Sequence, residues 1–217
     1  MLESFFSLQT LSFLIAIVVA LTIHEFAHAF VANYLGDPTA KYAGRLSLNP
    51  IRHLDPMGTA LLLIFLFTVG LGFGWGKPVP INPYNLRHRH GELLVSLAGP
   101  FSNLLLAILL ILVVAMLPTG VTGGWSNDFS GLINILVAVN VMLGIFNLLP
   151  IPPLDGSKIL FDLLPQGQTE VRASFERYGP FILIAVILFG FGFLGSFVKL
   201  VIVALEYLGQ VIHALIY

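Results

Sequence analysis

The sequence predicts an all-α polytopic membrane protein, a bundle of about four to six transmembrane helices with one re-entrant or β-hairpin element. Of its 217 residues, 57% are hydrophobic and only 10% are charged, whereas a soluble domain has about 25% charged residues. Several of its apolar stretches reach the roughly 20 residues that a helix needs to cross a bilayer. Both observations place most of the chain in a membrane.

Six apolar stretches are candidates for these helices. Four have the length and composition of a span: 8–35, 93–117, 131–149 and 179–197. The stretch 57–75 ends in a run of glycines, which is weak punctuation for a helix. The last stretch, 200–217, carries a polar stripe at helical spacing, so it is either a span facing the bundle or an interfacial amphipathic helix.

The composition also excludes several kinds of site and partner. The chain has no cysteine, so disulfides and thiolate ligands are excluded and any metal must be held by histidine and carboxylate. Its formal net charge is −1, and no basic stripe alternates with aromatic residues, so nucleic acid is not an expected partner. The first apolar stretch lacks the basic start of a cleavable signal peptide and is too long for one.

Residues 24–28 read His-Glu-Phe-Ala-His within the first apolar stretch. On a helix, His24 and His28 project from one face, one turn apart, which suits two ligands of a single zinc ion. Glu25 then lies beside the metal and can take a proton from water, the role that the glutamate of this motif has in metalloproteases. Polar groups deep in a membrane are usually functional. The alternative is a helix whose two histidines are hydrogen-bonded inside a bundle.

A third candidate ligand follows the third span. A run of prolines there ends at Asp155, and two histidines with one carboxylate leave one coordination position of zinc open for water, as in catalytic sites. Asp155 could instead be the N-cap of a helix that begins near Gly156. Both roles are compatible with the sequence.

The motif at 24–28, the run from Ala98 to Asn103 and the run from Asn147 to Gly156 together resemble the site-2 protease family of intramembrane zinc metallopeptidases. The resemblance implies that His24, His28 and Asp155 are zinc ligands and that Glu25 is the catalytic acid/base. It also implies a transmembrane or membrane-adjacent polypeptide as substrate.

The resemblance covers about residues 8–160. Segments 44–56 and 76–80 further resemble a compact subgroup, and the chain has no room for an appended PDZ or CBS domain. We therefore expect one membrane-embedded metalloprotease domain over 1–217, with its C-terminal helices at about 179–217.

One zinc ion can join His28 and Asp155 only if their two helices end at the same face and so run parallel. A crossing by 57–75 would separate the two ligands by a bilayer, so this segment is predicted to be re-entrant or a hairpin near the active site. Basic loop residues then share one face, which the positive-inside rule assigns to the cytoplasm: Lys41, Arg45, Arg52, Lys77, Arg87, Arg89, Lys158, Arg172 and Arg177. The active site is expected toward the cytoplasmic side of a prokaryotic plasma (inner) membrane.

A substrate helix must unwind before cleavage, and two segments could bind it in extended form. These are the alternating run 45–48 and the proline-bearing run 77–83, which could pair with substrate as an edge strand. A structural hairpin that plugs the site is an equal alternative.

Several other polar residues have expected roles. Asn140 and Asn147 lie seven residues apart on one helix face and could bind the substrate backbone or stabilise an oxyanion, although amides also bridge membrane helices. The bridging role is favoured for Asn103. His53 is expected to be polar surface rather than a metal ligand, and 87–90 to meet lipid headgroups.

The predicted function is that of an intramembrane zinc metalloprotease, which hydrolyses peptide bonds within or next to transmembrane segments and uses one Zn²⁺ per chain. Its expected partners are a transmembrane polypeptide and the lipid bilayer, and the sequence is silent on oligomeric state. The alternative is a non-enzymatic membrane metal-binding or metal-transport protein, which leaves Glu25 without a role and lacks the paired broken spans of transporters. A protease for prenylated peptides is a third possibility, against which Asp155 argues.

Overall fold

The computed structural model describes residues 7–69, 72, 74–117, 127–165 and 169–217. Within these ranges the chain is helical, with short 3₁₀ turns at Pro50–Arg52 and Pro83–Asn85. The helices in chain order are α1 (Leu8–Tyr34), α2 (Thr39–Tyr42), α3 (Pro56–Val69), α4 (Gly91–Ala115), α5 (Asn127–Asn147), α6 (Asp155–Leu163), α7 (Thr169–Phe189) and α8 (Phe191–Ile216).

Helices α1, α4 and α5 pack together as the centre of the molecule. The buried face of α1 repeats every four residues, a spacing that keeps side chains on one face of a helix. It begins with small side chains, which let membrane helices approach closely, and continues with two histidines: Ser12, Ala16, Ala20, His24 and His28. The same face that packs the bundle therefore carries the two histidines into it.

Contacts along the three helices fix their directions. On α1, Ala20 contacts Asn103 and His28 contacts Val95 of α4, so these two helices are antiparallel. Asn103 also contacts Asn140, and Gly144 faces Pro100, so α4 and α5 are antiparallel as well. Helices α1 and α5 therefore run parallel, as the meeting of His28 and Asp155 required.

Three helices in the described residues are long and apolar enough to cross a membrane: Leu8–Tyr34, Gly91–Ala115 and Gly192–Ile216. Gly131–Asn147 is a shorter apolar helix. The predicted span at 179–197 is wrong, because the chain breaks at Gly190 between α7 and α8. Helix α7 begins with charged residues. Residues 200–216 lie within α8, whose length and composition favour a span over a short interfacial helix.

The segment 55–75 leaves the bundle and returns to the point where it began. Leu54 and Gly76 form an isolated antiparallel bridge, and the Lys77 N–H donates to the His53 carbonyl over 2.8 Å. The returning chain packs near Leu21 at Gly76 and near Phe13 at Gly72. Helix α3 has 14 residues, which rise about 21 Å, so the helix of the excursion is shorter than the roughly 30 Å of a bilayer core.

This is the geometry expected of a re-entrant segment. The β-hairpin alternative is not observed, since the described residues give the segment a helix, α3, and one bridge rather than paired strands.

Helix α8 packs against α4 and α5 and completes the core. Buried side chains from the three helices form one cluster: Ala107, Ile111, Val137, Val141 and Val198. At the far end, the Nδ1–H of His213 donates to the Ala115 carbonyl over 2.9 Å, and the Tyr217 hydroxyl donates to the Met116 carbonyl over 3.1 Å. The polar stripe of 200–217 thus contributes His213 to the docking of α8 on the end of α4.

Candidate metal centre

Three buried side chains from two distant parts of the chain converge at the centre of the bundle. The Nε2 atoms of His24 and His28 lie 3.0 Å apart, and each lies 3.1 Å from the same oxygen, Oδ2, of Asp155. The three side chains are 4–6% exposed. In the described part of the chain they form the one group of histidine and acidic residues with the spacing of metal ligands.

The outer nitrogen of each imidazole has a hydrogen-bond acceptor, which assigns its proton. The Nδ1 of His28 lies 2.7 Å from the Val95 carbonyl, which can only accept. The Nδ1 of His24 lies 2.8 Å from the side-chain oxygen of Asn103, whose NH₂ group donates to Ala20 and Asn140. With Nδ1 protonated in both rings, the neutral form of each imidazole presents an unprotonated Nε2 to the other ring and to Asp155.

Three lone-pair groups therefore face one another, and a cation satisfies them. Zinc bonds to histidine nitrogen and carboxylate oxygen are about 2.0–2.2 Å long, which for tetrahedral geometry places ligand atoms roughly 3.3–3.5 Å apart. The observed 3.0–3.1 Å triangle is close to that spacing, and three ligands leave the fourth position open. The donor set thus fits a catalytic zinc ion.

Gly99 of α4 forms the wall behind the two imidazoles. A Cβ atom at this position would lie 2.6 Å from Cε1 of His24 and would also overlap the Nε2 of His28. Only a residue without a side chain allows the α4 backbone this close to the rings. The glycine in the run from Ala98 to Asn103 is therefore explained by packing against the candidate metal ligands.

Asp155 reaches the site because a new helix begins there. It is the first residue of α6, whose N-cap is Leu154, so the alternative prediction that Asp155 itself is the N-cap is wrong. Gly156 sits against the Leu148 and Leu149 carbonyls, too close for a Cβ atom. The second carboxylate oxygen, Oδ1, accepts from the Lys158 ammonium over 3.2 Å, which leaves Oδ2 for the imidazoles.

The two asparagines of α5 differ in their surroundings. Asn140 is fully buried; its side-chain oxygen accepts from Asn103 over 2.8 Å, and its NH₂ group donates to the Leu136 carbonyl. Asn147 is half-buried, and its NH₂ group donates to the Leu143 carbonyl over 3.0 Å. Asn140 thus lies behind Asn103 and His24, whereas Asn147 lies at the end of α5 next to the turn that carries Asp155.

Glu25 is half-buried and is held by the segment that follows the re-entrant excursion. The Val79 N–H donates to the Glu25 carboxylate over 3.0 Å, and the Val79 side chain is buried against Ala29 and Ala40. In the described residues, 77–82 form neither helix nor strand. The proline-bearing run therefore lies directly over the carboxylate of the motif.

Arg45 fixes the start of this run. Its guanidinium donates to the Lys77 carbonyl, and the side chain is only 5% exposed. Burial lowers the pKa of Arg45, and the Glu25 carboxylate opposes that shift. The loop 43–47 is thus tied to the run that covers Glu25.

Two loops hold polar residues for which the sequence predicts a role. His53 is 1% exposed and bonds through Nε2 to the Ser47 carbonyl over 2.6 Å, so the prediction that it is polar surface is wrong: it braces the loop from inside. In the exposed run 87–90, His90 pairs with Asp162 of α6 over 2.6 Å. A headgroup contact for the remainder of this run stays a prediction.

Sequence reasoning missed Asp37. Its fully buried carboxylate accepts from the Asn82 N–H over 2.7 Å, from the Asn85 side chain over 2.9 Å and from Thr39. It thereby anchors the loop after Val79 to the end of α1. The only signal in the sequence is an Asp-Pro-Thr turn after a helix, which many loops share.

A bundle of apolar helices around a buried His₂Asp cluster, with a glutamate next to the first histidine, defines a membrane-embedded metallopeptidase. The chain belongs to peptidase family M50, the site-2 protease family, whose family model matches residues 12–123 and 122–190. The resemblance drawn from the three motifs is thereby confirmed. The protein is a zinc metallopeptidase and an integral membrane protein.

Curated relatives support the same class. YwhC of Bacillus subtilis (strain 168), whose name describes a zinc metalloprotease, is 44% identical over 169 residues, covering 76% of this chain and 74% of the relative. Rip2 of Mycolicibacterium smegmatis, named in the same way, is 34% identical over 174 residues, 79% of this chain and 64% of its own. Zinc metalloprotease MJ0392 of Methanocaldococcus jannaschii is 26% identical over 196 residues, 88% of this chain and 45% of its own. No solved structure gives a significant match.

Proposed function

We propose that this protein is an intramembrane protease, in which His24, His28 and Asp155 hold one zinc ion and Glu25 is the catalytic acid/base. The observation that carries the proposal is the meeting of two imidazole Nε2 atoms and a carboxylate oxygen, each within 3.1 Å of the others. These groups are buried among helices long and apolar enough to cross a membrane. The site is thus buried where a transmembrane substrate would have to be cleaved.

Zinc, when bound, lowers the pKa of a water ligand to about 7 and polarises a carbonyl group. The chain supplies the rest of the chemistry. Glu25 accepts a proton from the attacking water and later delivers it to the leaving amine. His24 and His28 are kept in the tautomers that present Nε2 inward, because Asn103 and the Val95 carbonyl accept hydrogen bonds from their Nδ1–H groups. The apolar bundle excludes bulk water from the reaction.

The substrate must be extended at the cleaved bond, since a helix hides its carbonyls in hydrogen bonds. The run 77–82 lies beside Glu25 without strand partners in the described residues, so we infer that it lies along the path of the substrate. This run could pair with an extended substrate, or it could cover Glu25 until a substrate arrives. The contact between Val79 and Glu25 is compatible with both roles. Asn147, half-buried next to the turn before Asp155, is the better placed of the two asparagines to contact the substrate backbone.

We propose that the site opens toward the cytoplasmic side of a prokaryotic plasma membrane. The supporting observation is the distribution of lysine and arginine, since segments 36–55, 77–90 and 150–178 contain nearly all of them. The positive-inside rule assigns such loops to the cytoplasm. The closed excursion of 55–75 keeps the first two of these segments on one face.

Cleavage and zinc binding of matched variants test the proposal. With the protein in liposomes and a transmembrane reporter, Glu25→Gln should retain zinc near one equivalent per chain and lose cleavage by at least about a thousandfold, because the base is removed but the ligands remain. His24→Ala should lose both. Glu206→Gln, an exposed glutamate of α8, is the control and should change neither.

Each outcome bears on one part of the proposal. Parent-rate cleavage by Glu25→Gln contradicts the assignment of the base. Full zinc retention by His24→Ala contradicts the ligand set. A parent protein that holds zinc but cleaves no transmembrane reporter in any orientation points to a metal-binding or metal-transport protein. Cysteines introduced at the exposed positions Lys41 and Lys77 should be labelled from the same side of the membrane, and labelling from opposite sides contradicts the proposed topology.

A further inference from the structure

A cavity of about 360 Å³ lies at the base of the re-entrant excursion, on the side of the loops. It is formed by the chain just before α3 and by the point at which the excursion returns. Its lining contains three cationic side chains and no acidic one: Ala43, Arg45, Ile51, Arg52, Leu54, Pro56 and Lys77. The proposed catalytic centre does not use this cavity.

The three cations around the cavity have no counter-charge in contact with them. In the described part of the chain, none of Arg45, Arg52 and Lys77 forms an ion pair with a carboxylate. The neighbouring carboxylate, Asp55, accepts from the Gly58 N–H at the start of α3. Glu25 acts on the charge of Arg45 without forming an ion pair with it, and three positive charges around one cavity attract an anion.

Arg45 is the residue that marks this cavity as a binding site. A buried arginine usually has all its donors paired, and Arg45 is 5% exposed. One terminal nitrogen donates to the Lys77 carbonyl, but Nε is buried with no partner. Arg45 lines the cavity, and the planar guanidinium fork of an arginine suits the oxygens of a phosphate.

A glycine lets Arg52 approach the same place. Gly44 adopts φ +67°, a left-handed backbone conformation that residues other than glycine rarely take. A Cβ atom there would lie 3.7 Å from Nη1 of Arg52. The turn therefore brings the loop next to Arg45 against the Arg52 guanidinium.

The segments that line the cavity carry exposed apolar side chains. Ile51 lines the cavity itself, and three further large side chains lie within three residues of a lining residue in the sequence; all four are 58–84% exposed: Tyr42, Leu48, Ile51 and Met57. A cationic cavity with an apolar rim matches a phospholipid, whose phosphate and acyl chains need both environments. A free phosphate ion would use only the cations.

We propose that this cavity binds a phosphate group through Arg45, Arg52 and Lys77. The rim favours a membrane phospholipid as the source of that group. The inference does not depend on the protease activity, so binding can be measured on the resting protein with or without zinc.

Lipid retention by matched variants tests the site. The full chain is purified in a mild detergent, exposed to phosphatidylglycerol, washed, and analysed for bound lipid by native mass spectrometry. The parent protein should retain one phosphatidylglycerol, and Arg52→Gln and Lys77→Gln should each weaken retention at least about fivefold, since each removes a charge-assisted contact. Arg177→Gln removes an exposed charge on α7, away from the residues that line the cavity, and should stay within about twofold of the parent.

A second experiment distinguishes a phospholipid from a free phosphate ion as the source of the phosphate group. Inorganic phosphate is titrated into lipid-free protein, and binding is followed by calorimetry. If inorganic phosphate binds but lipid is not retained, the cavity is an anion site for a soluble phosphate. Equal behaviour of parent, Arg52→Gln and Lys77→Gln in both arms overturns the proposal. So does preferential binding of a glutamate-rich peptide, which would make the cavity a subsite for acidic polypeptide. Arg45→Gln is informative only if it folds, and the other two variants stand without it.

Discussion

The side-chain oxygen of Asn103 holds the imidazole of His24 by accepting a hydrogen bond from its Nδ1–H over 2.8 Å. Its NH₂ group donates to the Ala20 carbonyl and to the side-chain oxygen of Asn140, so the amide cannot turn around without losing its contacts. A single side chain of α4 therefore connects all three central helices and fixes the tautomer of a metal ligand. Residues in this position around zinc sites usually raise the affinity of the metal.

Replacement of Asn103 should weaken zinc binding without removing a ligand. We expect Asn103→Ala to lower zinc affinity about 10- to 100-fold, because His24 is then free to rotate and to adopt the other tautomer. Competition with a calibrated chelator measures the change. Ser102→Ala, which removes only a hydroxyl bonded to the Gly99 carbonyl, is the matched control. Unchanged affinity in Asn103→Ala would show that the ring is held by packing alone.

Asn140 offers a choice between two roles. If it acts through Asn103, Asn140→Leu should lower zinc affinity several-fold and lower kcat, with little change in KM. If it binds substrate, zinc affinity should stay at the parent value while KM rises. Its complete burial and its hydrogen bonds to Asn103 and Leu136 favour the first outcome. Chelator competition alongside cleavage kinetics distinguishes the two.

Gly99→Ala should abolish zinc binding, because the added methyl group occupies the space of the two imidazoles. The close contact is with rings packed between helices, which have little room to move. Gly195→Ala in α8 is the control, since a Cβ atom there meets nothing within 4 Å. That change should leave zinc binding intact and be neutral or slightly stabilising, by up to about 1 kcal/mol. Zinc content per chain after gel filtration checks both.

The sequence predicted the relationships that chemistry enforces over long distances. Two histidines one turn apart and one distant aspartate have to meet at a metal ion, and this requirement alone made α1 and α5 parallel and 57–75 a segment that returns on itself. The contacts of His24, His28 and Asp155 agree with that reasoning. A requirement of this kind does not depend on local propensity, which is why it could be read from the chain.

Local boundaries and loop interiors could not be read in the same way. The continuous apolar run through 179–197 hides the break at Gly190, because hydropathy does not distinguish a bent helix from a straight one. His53 and Asp37 are buried by loop contacts with residues such as Ser47 and Asn82. No periodic pattern marks those contacts, so the pattern placed His53 at the surface and predicted nothing for Asp37.

The Lys158 ammonium contacts the outer oxygen of Asp155 over 3.2 Å. Removing this contact should nevertheless have a small effect on zinc binding. The Lys158 side chain is 42% exposed, and exposed ion pairs contribute up to about 1 kcal/mol. We therefore expect Lys158→Met to lower zinc affinity no more than about fivefold, with Lys199→Met as the control. A loss as large as that expected for Asn103→Ala would mean that Lys158 determines which oxygen of Asp155 faces the imidazoles.

Asp37 should make stability depend on pH at the acidic end. Burial raises the pKa of this carboxyl, but hydrogen bonds from Thr39, Asn85 and Asn82 outweigh it, so the pKa lies below its ordinary value of 3.8. A carboxyl whose pKa is lower in the folded state stabilises the fold fully above its unfolded pKa, and that contribution is lost as pH falls through the folded value.

Asp37→Asn should accordingly be less stable than the parent at pH 7, by about 2 kcal/mol, since hydrogen bonds to a charged acceptor contribute about 1.5–3 kcal/mol. The difference should shrink as the pH is lowered below 3.8. Denaturant unfolding in detergent at pH 7 and pH 3 measures both effects, and Glu170→Gln, an exposed carboxylate on α7, provides the control. A difference between parent and Asp37→Asn that is the same at both pH values would show that the loop is held by the shape of the side chain and not by its charge.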